Sequence, residues 1–559
     1  MKTSKRLILA LLCFVLILST TACSETNPQS SSSSSGQTSD VSTENTGETS
    51  AETEDLPEWF EGKDFSEKQV ISIASIQVED SFDYNQGDDF VKWWSENFNI
   101  EWDVTSLTME NWAERLRIWI NSDDMPDMAV WDYKHGEATN YVDQGLLKAL
   151  PQDWKENYPN LAKAASQSPM SEKTEEIFGD TYFLFRPVFS NNRPADKLSS
   201  HTSVYLRKDW ADAIGYELKD VMKVSEILDF AAKVKEADPG NVGDAFYPLV
   251  GKTSSIAYFI GANSTYAGCG TSPYYQDENG VYQWGPASQE TLEVLKMLSQ
   301  AYRDGLIHPE FYAIQDPDDF GAFYTTGESA ICAGEGMAWK MTEFEQHLSA
   351  DLNLNYEDVV KVVAVVGEDG NYHGEPLTNY WGTNIFSPHI SDEKLERILN
   401  VMDYSCTDEG QLMIRCGIEG VDWEMDENGN IISHIEDGLT ARDKYAIKPL
   451  YENLMTLSDD FQFLDPNYAE IHRTRTKELY ELREEHSTEE SFPSEPDWTK
   501  VFHDSQAMNL ASMTYQDEYA ALIVKDGDIE ENWKAWVNEK MPMIQPVLDE
   551  LTEAANAEK

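Results

Sequence analysis

Apolar residues run almost without a break through Val70-Ile71-Ser72-Ile73-Ala74-Ser75-Ile76, the pattern of a strand covered on both faces, as in a parallel sheet. Further on, Trp112, Leu116, Trp119 and Ile120 recur at helical spacing, and Asp124-Met125-Pro126-Asp127 turns the chain into a short apolar strand, Met128 to Val130. Strand, helix and strand in that order predict a βαβ unit and parallel pairing. The helical signature returns downstream. Ser288 can cap a helix that shows Leu292, Leu295, Leu298 and Tyr302 on one face and stops at Gly305; Ser391 can cap another with Leu395, Ile398, Leu399 and Met402. Asn279-Gly280, Asp369-Gly370 and Asn428-Gly429 read as hairpin turns decorating an α/β body.

The first residues follow a different pattern. Lys2, Lys5 and Arg6 precede the apolar run Leu7 to Leu18, and Thr20-Thr21-Ala22-Cys23 follows, the layout of a secretory leader over residues 1–22. The run is too short to favour a spanning helix. Its ending resembles the lipobox of bacterial lipoproteins, whose cysteine is diacylated and becomes the new N-terminus, so Cys23 is the expected lipidation site; Thr20 stands where lipoboxes usually carry Leu, Val or Ile. Residues 23–56 are dominated by Ser, Thr, Gly, Glu, Asn and Gln, a composition that cannot bury a core and predicts a flexible spacer. Two acyl chains satisfy the requirement for stable anchoring, which places the body at the extracellular face of the cell membrane.

With 559 residues the chain exceeds one ordinary core, and a hydrophobic fraction of 41% suffices for two lobes. Lys+Arg 42 against Asp+Glu 101 gives a net charge of -59, which repels phosphates and disfavours nucleic acid as a partner. Cys269, Cys332, Cys406 and Cys416 lack zinc-type spacing, so no metal cluster is expected; a Cys406–Cys416 disulfide and four free thiols both stay open. Gly251-Lys252-Thr253 looks like the end of a P-loop, but Phe246 stands where its first glycine is needed, and neither G-x-S-x-G nor H-E-x-x-H occurs. Aromatic content is the positive signal: 16 Trp and 26 Tyr. Sugar rings present apolar C–H faces ringed by hydroxyls, so their sites combine flat aromatic platforms with polar side chains. Trp112, Trp119, Trp533 and Trp536, at helical spacing, belong in cores. Trp131 after its strand, Trp339 after Gly334-Glu335-Gly336-Met337, and Trp381 before Gly382-Thr383-Asn384 lie where α/β proteins hold ligands.

Several segments, taken in order, resemble extracellular solute-binding proteins of ABC sugar importers, in the long-chain branch that occurs as lipoproteins. Asp124-Met125-Pro126-Asp127-Met128 looks like that family's "(D/L)PD" and apolar strand, and Tyr141 to Leu147 resembles its "G-x-L-x-x-L" sequel. Leu206-Arg207-Lys208-Asp209-Trp210 with Ile214-Gly215 is similar to its "R-K-D-W-L-x-x-L-G" helix start, and Gly327 to Met337 to its "G-K-A-x-M" segment. Asp403-Tyr404 with Glu409-Gly410, and Gly417 to Val421, resemble its late "D-Y-x-x-x-x-E-G" and "G-x-E-G" elements. The resemblance extends from about Val70 to the C-terminus. It implies an α/β, two-lobed periplasmic-binding-protein-like fold with the ligand cleft between lobes joined by several crossovers. Tyr182 to Pro187 resembles the first crossover and Tyr380 to Pro388 the return. Residues 57–186 with about 383–440 would form the N-terminal lobe, and 187–382 with about 441–559 the C-terminal lobe.

Carried across, the resemblance implies Trp131, Trp339 and Trp381 as sugar platforms, with Asp132, Arg207, Glu335 and Asn384 as polar contacts. It implies a monomer that binds a carbohydrate, an oligosaccharide, and delivers it to ABC permease subunits without catalysis. A lipid-anchored glycoside hydrolase is the alternative, since abundant carboxylates hide any catalytic pair; a surface adhesin is a third reading. Some relatives hold calcium after the Arg-Lys-Asp-Trp helix. The corresponding Asp238, Asn241 and Asp244 keep too few oxygens for the usual six to eight or so ligands, so no cofactor is predicted, while calcium stays open as the alternative. Arg186, Arg193 and Arg207 near the crossover and cleft leave a uronic acid open beside a neutral oligosaccharide, which is the expectation.

Overall fold

The apolar run at Val70 becomes the longest strand of a five-stranded sheet in the computed structural model, which describes residues 56–76, 78, 82–108, 111–187, 202–269, 272–314, 317–374, 380–427, 429–436, 439–445, 454, 465–488 and 496–557. The leader, Cys23 and the spacer to residue 55 lie outside them, as do Arg193 and Asn428. Residues up to Glu61 form a unit of their own, described only at its end, where Glu58–Phe60 make a short 3-10 turn; Gly62–Lys559 form the second.

In that second unit the chain lays down β1 (Gln69–Ile76), β2 (Ile100–Leu107), β3 (Met128–Trp131) and β4 (Leu184–Phe185). There follow β5 (Thr202–Arg207), β6 (Val221–Lys223), the hairpin of β7 (Tyr274–Gln276) and β8 (Tyr282–Trp284), β9 (Ile331–Glu335) and β10 (Val360–Val366). Last come β11 (Thr383–Phe386) and the hairpin of β12 (Trp423–Met425) and β13 (Ile431–Ser433). One sheet has the order β2-β1-β3-β11-β4 and the other β6-β10-β5-β9, the cores of two lobes. β1 pairs in parallel with both β2 and β3, so the expected parallel sheet is present, with β2 and the helix Asp89–Asn97 inserted ahead of Trp112. β11 is antiparallel to both of its neighbours, β3 and β4.

The helices start and stop where local chemistry directs them. The Ser288 hydroxyl accepts from the Thr291 N–H at 3.2 Å, opening the helix Gln289–Arg303, and Gly305 follows it at φ +67°. Ser391 opens Asp392–Ser405 in the same way, accepting from the Lys394 N–H. Ser391→Ala should lower stability by about 1 kcal/mol, read as an earlier urea midpoint with an unchanged slope. Of the expected hairpin turns, Asn279-Gly280 joins β7 to β8, whereas Asp369-Gly370 turns the chain after β10 with no second strand behind it among the described residues.

Each face of the second sheet buries its own core. Val204 and Leu206 point into a cluster that includes Tyr519, Trp533, Trp536 and Leu551 from the C-terminal helices Tyr515–Val524 and Ile529–Ala557. Tyr205 and Cys332, on the alternate face, pack with Phe344 and Leu479. The first lobe continues past residue 440, later than expected: Tyr445 stacks on Phe90 with ring centroids 5.3 Å apart, and the Leu454 carbonyl accepts from Asn384 Nδ2 at 2.7 Å. Cys269, Cys332, Cys406 and Cys416 are all free thiols, which resolves the open question of the disulfide, and burial pushes the Cys332 thiol up to about 12. No helix among the described residues is long and apolar enough to cross a membrane.

Candidate functional site

Strand register places one edge of each sheet beside the passages between lobes. In the first sheet Trp131, Thr383 and Phe185 stand opposite one another, so β3 and β4 end and β11 begins along one line. The chain leaves this lobe just after Phe185 and returns to it at Thr383. In the second sheet β5 begins at Thr202, paired with Glu335 at the end of β9, while the antiparallel β10 ends near the same edge at Val366. Ligands of open α/β sheets sit at strand ends of this kind.

Trp381 stands at the first edge with 39% of its surface exposed. Its ring stacks on Trp112, centroids 5.6 Å apart and planes 17° from parallel, and the Arg186 guanidinium lies 5.1 Å from the ring centroid. Arg186 Nη1 donates to the Trp381 carbonyl at 3.2 Å, and the Trp381 N–H donates back to the Arg186 carbonyl at 3.0 Å. Gly382 next to it has φ +69°, and a Cβ there would press on Val130. The platform is thus clamped by backbone and side chain together, which lowers the entropy lost when a ligand settles on it. Beside it Asp132 is ion-paired to Arg117 at 3.1 Å, and Arg117 Nε reaches Glu137 at 2.7 Å, giving a partly exposed polar cluster. In the second lobe, Glu335 ends β9 half-buried, and Trp339 is 37% exposed in the first turn of the helix Ala338–Leu352.

Three expected site residues are placed elsewhere. Trp131 is fully buried: β3 is covered along its whole length, and the indole packs among Tyr133, Tyr141 and Phe183 with centroids 5.5 to 5.9 Å away, so no ring face is left for a sugar. Arg207 sits at the opposite end of β5 from Thr202, because β5 runs antiparallel to β9 and Leu206 already pairs with Ile331. There it forms a fork with Asp209 at 2.8 and 2.6 Å and lies 4.2 Å from the Trp210 ring centroid. Asn384 is completely buried and ties the Leu454 carbonyl to the sheet. The residues of the degraded calcium loop are also engaged locally: the Asp238 carboxylate accepts from the N–H groups of Val242 and Gly243 at 2.8 and 2.9 Å. Among the described residues no group of three or more His, Cys, Asp or Glu is placed to hold a metal.

A strap that the hydrophobic pattern did not single out runs over residues 496–504. Trp498, Val501 and Phe502 pack against the first-lobe core, with Phe502 edge-on to His135 at 5.1 Å. A Cβ on Gly136 would collide with the Asp504 carboxylate, a measure of how closely the strap approaches. Its polar groups hold the other lobe: Tyr282 donates to Asp497, and His503 lies 3.1 Å from Glu550. Burial depresses the pKa of His135 and Asp504 partly restores it. Asp497 capping a turn that begins with Trp498 was the available signal, too short to carry a period.

Solved structures share this architecture over most of the chain. An extracellular solute-binding protein from Bifidobacterium longum subsp. infantis superposes with a TM-score of 0.61 at 16% identity, covering 88% of this chain and 98% of its own. The fold is that of the extracellular solute-binding proteins. Two further examples of the solute-binding fold come from Streptococcus pneumoniae. The ABC-transporter substrate-binding protein FusA, solved with kestose, matches at 0.62 and 14% identity, with 87% of this chain and 99% of that one covered. The N-glycan transport solute-binding protein NgtS, solved with Man1GlcNAc, matches at 0.56 and 14%, with 88% and 99% covered. No family model matches the chain, and no curated protein does.

Proposed function

We propose that this protein captures an oligosaccharide outside the membrane and delivers it, chemically unchanged, to the permease of an ABC importer. The observation that carries the reading is the exposed, rigidly clamped Trp381 at the strand-end edge of the first sheet, with Glu335 at the end of β9 in the second sheet and Trp339 exposed just after it. An indole face offers the apolar C–H side of a sugar a desolvated partner, and the Asp132–Arg117–Glu137 cluster supplies hydroxyl partners. The structural neighbours solved with kestose and with Man1GlcNAc support the same ligand class.

A thermal-shift screen over an oligosaccharide panel tests the reading, because ligand at about 100 times its Kd adds roughly 2.7 kcal/mol of stability. A hit that is sequestered for hours and recovered intact supports a binding protein; release of shorter products would make the chain a hydrolase instead. In this reading the protein works as a monomer tethered through diacylated Cys23. Cys23→Ala should therefore move it from the membrane fraction to the medium or to a pool with its leader uncleaved. Retention of lipid label in that variant would rule out Cys23 as the anchor.

A further inference from the structure

The strap over residues 496–504 is fixed to the two lobes by different chemistry. Its grip on the first lobe is apolar: Trp498, Val501 and Phe502 pack against that core, and Phe502 meets the His135 ring edge-on at 5.1 Å. Its grip on the second is polar. Tyr282 donates to Asp497, Lys500 Nζ lies 5.8 Å from the Tyr266 ring centroid, and His503 Nε2 is 3.1 Å from Glu550. Between the two grips stands one turn of helix, Trp498–Val501, in which the Val501 N–H donates to the Asp497 carbonyl at 2.9 Å. A lone turn does not hold its shape without the surfaces on either side. The strap is therefore either docked or unravelled, and its first-lobe side contains a group that can decide which.

His135 opens the helix His135–Asp143 and lies partly buried against the strap. Its ring also faces Phe178, with centroids 6.2 Å apart. The Tyr133 hydroxyl is 3.2 Å from Nδ1, so a neutral ring with Nδ1 bare accepts its hydrogen bond, and a proton on that nitrogen removes the acceptor. Tyr133 is held there at φ +32°, a left-handed conformation that a bulky residue keeps only while its surroundings enforce it. Against charge on the His135 ring stand burial and the positive pole of its own helix. In favour of charge stands the Asp504 carboxylate from the strap, which Asn509 Nδ2 also approaches at 3.5 Å. The charged neighbours along the chain are engaged elsewhere: Lys134 lies 3.9 Å from Asp132, and Glu137 binds Arg117. We propose that the strap is a pH-sensitive joint between the lobes, docked while His135 is neutral and released from the first lobe when it is protonated. The second-lobe grip survives the change, because His503 Nε2 can donate to the Glu550 carboxylate in either state.

In the docked strap, burial holds His135 below the ordinary histidine value of about 6.5, so the released strap binds more protons. Docking is full above about pH 7 and weakens as pH falls through about 6.5, by at most about tenfold per pH unit for a single proton. Hydrogen exchange of the full-length protein, read by mass spectrometry on peptides spanning the strap and corrected for the intrinsic effect of pH, tests this without any ligand and so independently of sugar capture. Protection there should fall about 3- to 10-fold between about pH 7.5 and 5.5, while the helix Gln289–Arg303 keeps its own. His135→Phe, which keeps the aromatic contact, should give the same protection at both pH values. Asp504→Asn, which removes the carboxylate that favours the charged ring, should enlarge the loss. Equal protection at both pH values in the unaltered protein, an undiminished loss in His135→Phe, or a loss shared by Gln289–Arg303 overturns the proposal. Should His135→Phe leave the strap unprotected throughout, Asp504→Asn decides: a loss no larger than that of the unaltered protein overturns it.

Discussion

Trp131→Ala should cost about 3–5 kcal/mol of folding stability, a large share of the roughly 5–15 kcal/mol that holds a typical domain folded. The indole is fully buried at the centre of the first-lobe core, against Tyr133, Tyr141 and Phe183, and neighbours around a strand can collapse only partly into the space it leaves. Urea unfolding followed by circular dichroism reads the loss directly. Sugar affinity of the fraction that stays folded should change much less than stability does. A variant with intact stability and abolished binding would return Trp131 to the ligand site.

Trp381→Ala should behave in the opposite way. Removing an exposed stacking platform should weaken sugar binding by about 1–3 kcal/mol, roughly 5- to 150-fold, on the scale of planar ligands stacked on aromatic rings. The stability change should be smaller, because much of the ring already faces solvent and only its contacts with Trp112 and Arg186 are lost. Trp381→Phe should keep most of the affinity, since a flat apolar face remains. Calorimetric titration with any sugar that gives a thermal shift separates the two effects. Unchanged affinity in Trp381→Ala would remove the observation on which the functional reading stands.

Trp131 and Trp381 look alike in sequence, each at or beside the end of a short strand, and only pairing distinguishes them. Trp131 ends β3 facing inward, while Trp381 precedes β11 and is turned outward by Gly382. Continuous apolar runs and caps were legible because they are local: β1, the helix after Ser288 and the helix after Ser391 all form as their spacing implies. β2 was not, since Ile100 and Trp102 face the core from an edge strand whose remaining positions are largely polar. Arg207 failed for a long-range reason. Its neighbours suggest a helix start correctly, but whether that end of β5 faces the other lobe depends on pairing with β9 more than a hundred residues later.

The insertion of β11 between β3 and β4 has a consequence for biogenesis. Among the described residues β4 (Leu184–Phe185) has β11 as its only partner in the sheet, and β11 begins at Thr383. A chain that folds as it emerges N-terminus first therefore carries an incomplete first lobe until most of the second has followed. During that interval β3 presents an unpaired edge, a template for association with other emerging chains. Closing so long a loop also makes folding slow relative to stability. The net charge of -59 then acts as a safeguard in time as well as in space, keeping half-finished chains apart until the returning strand fills the gap.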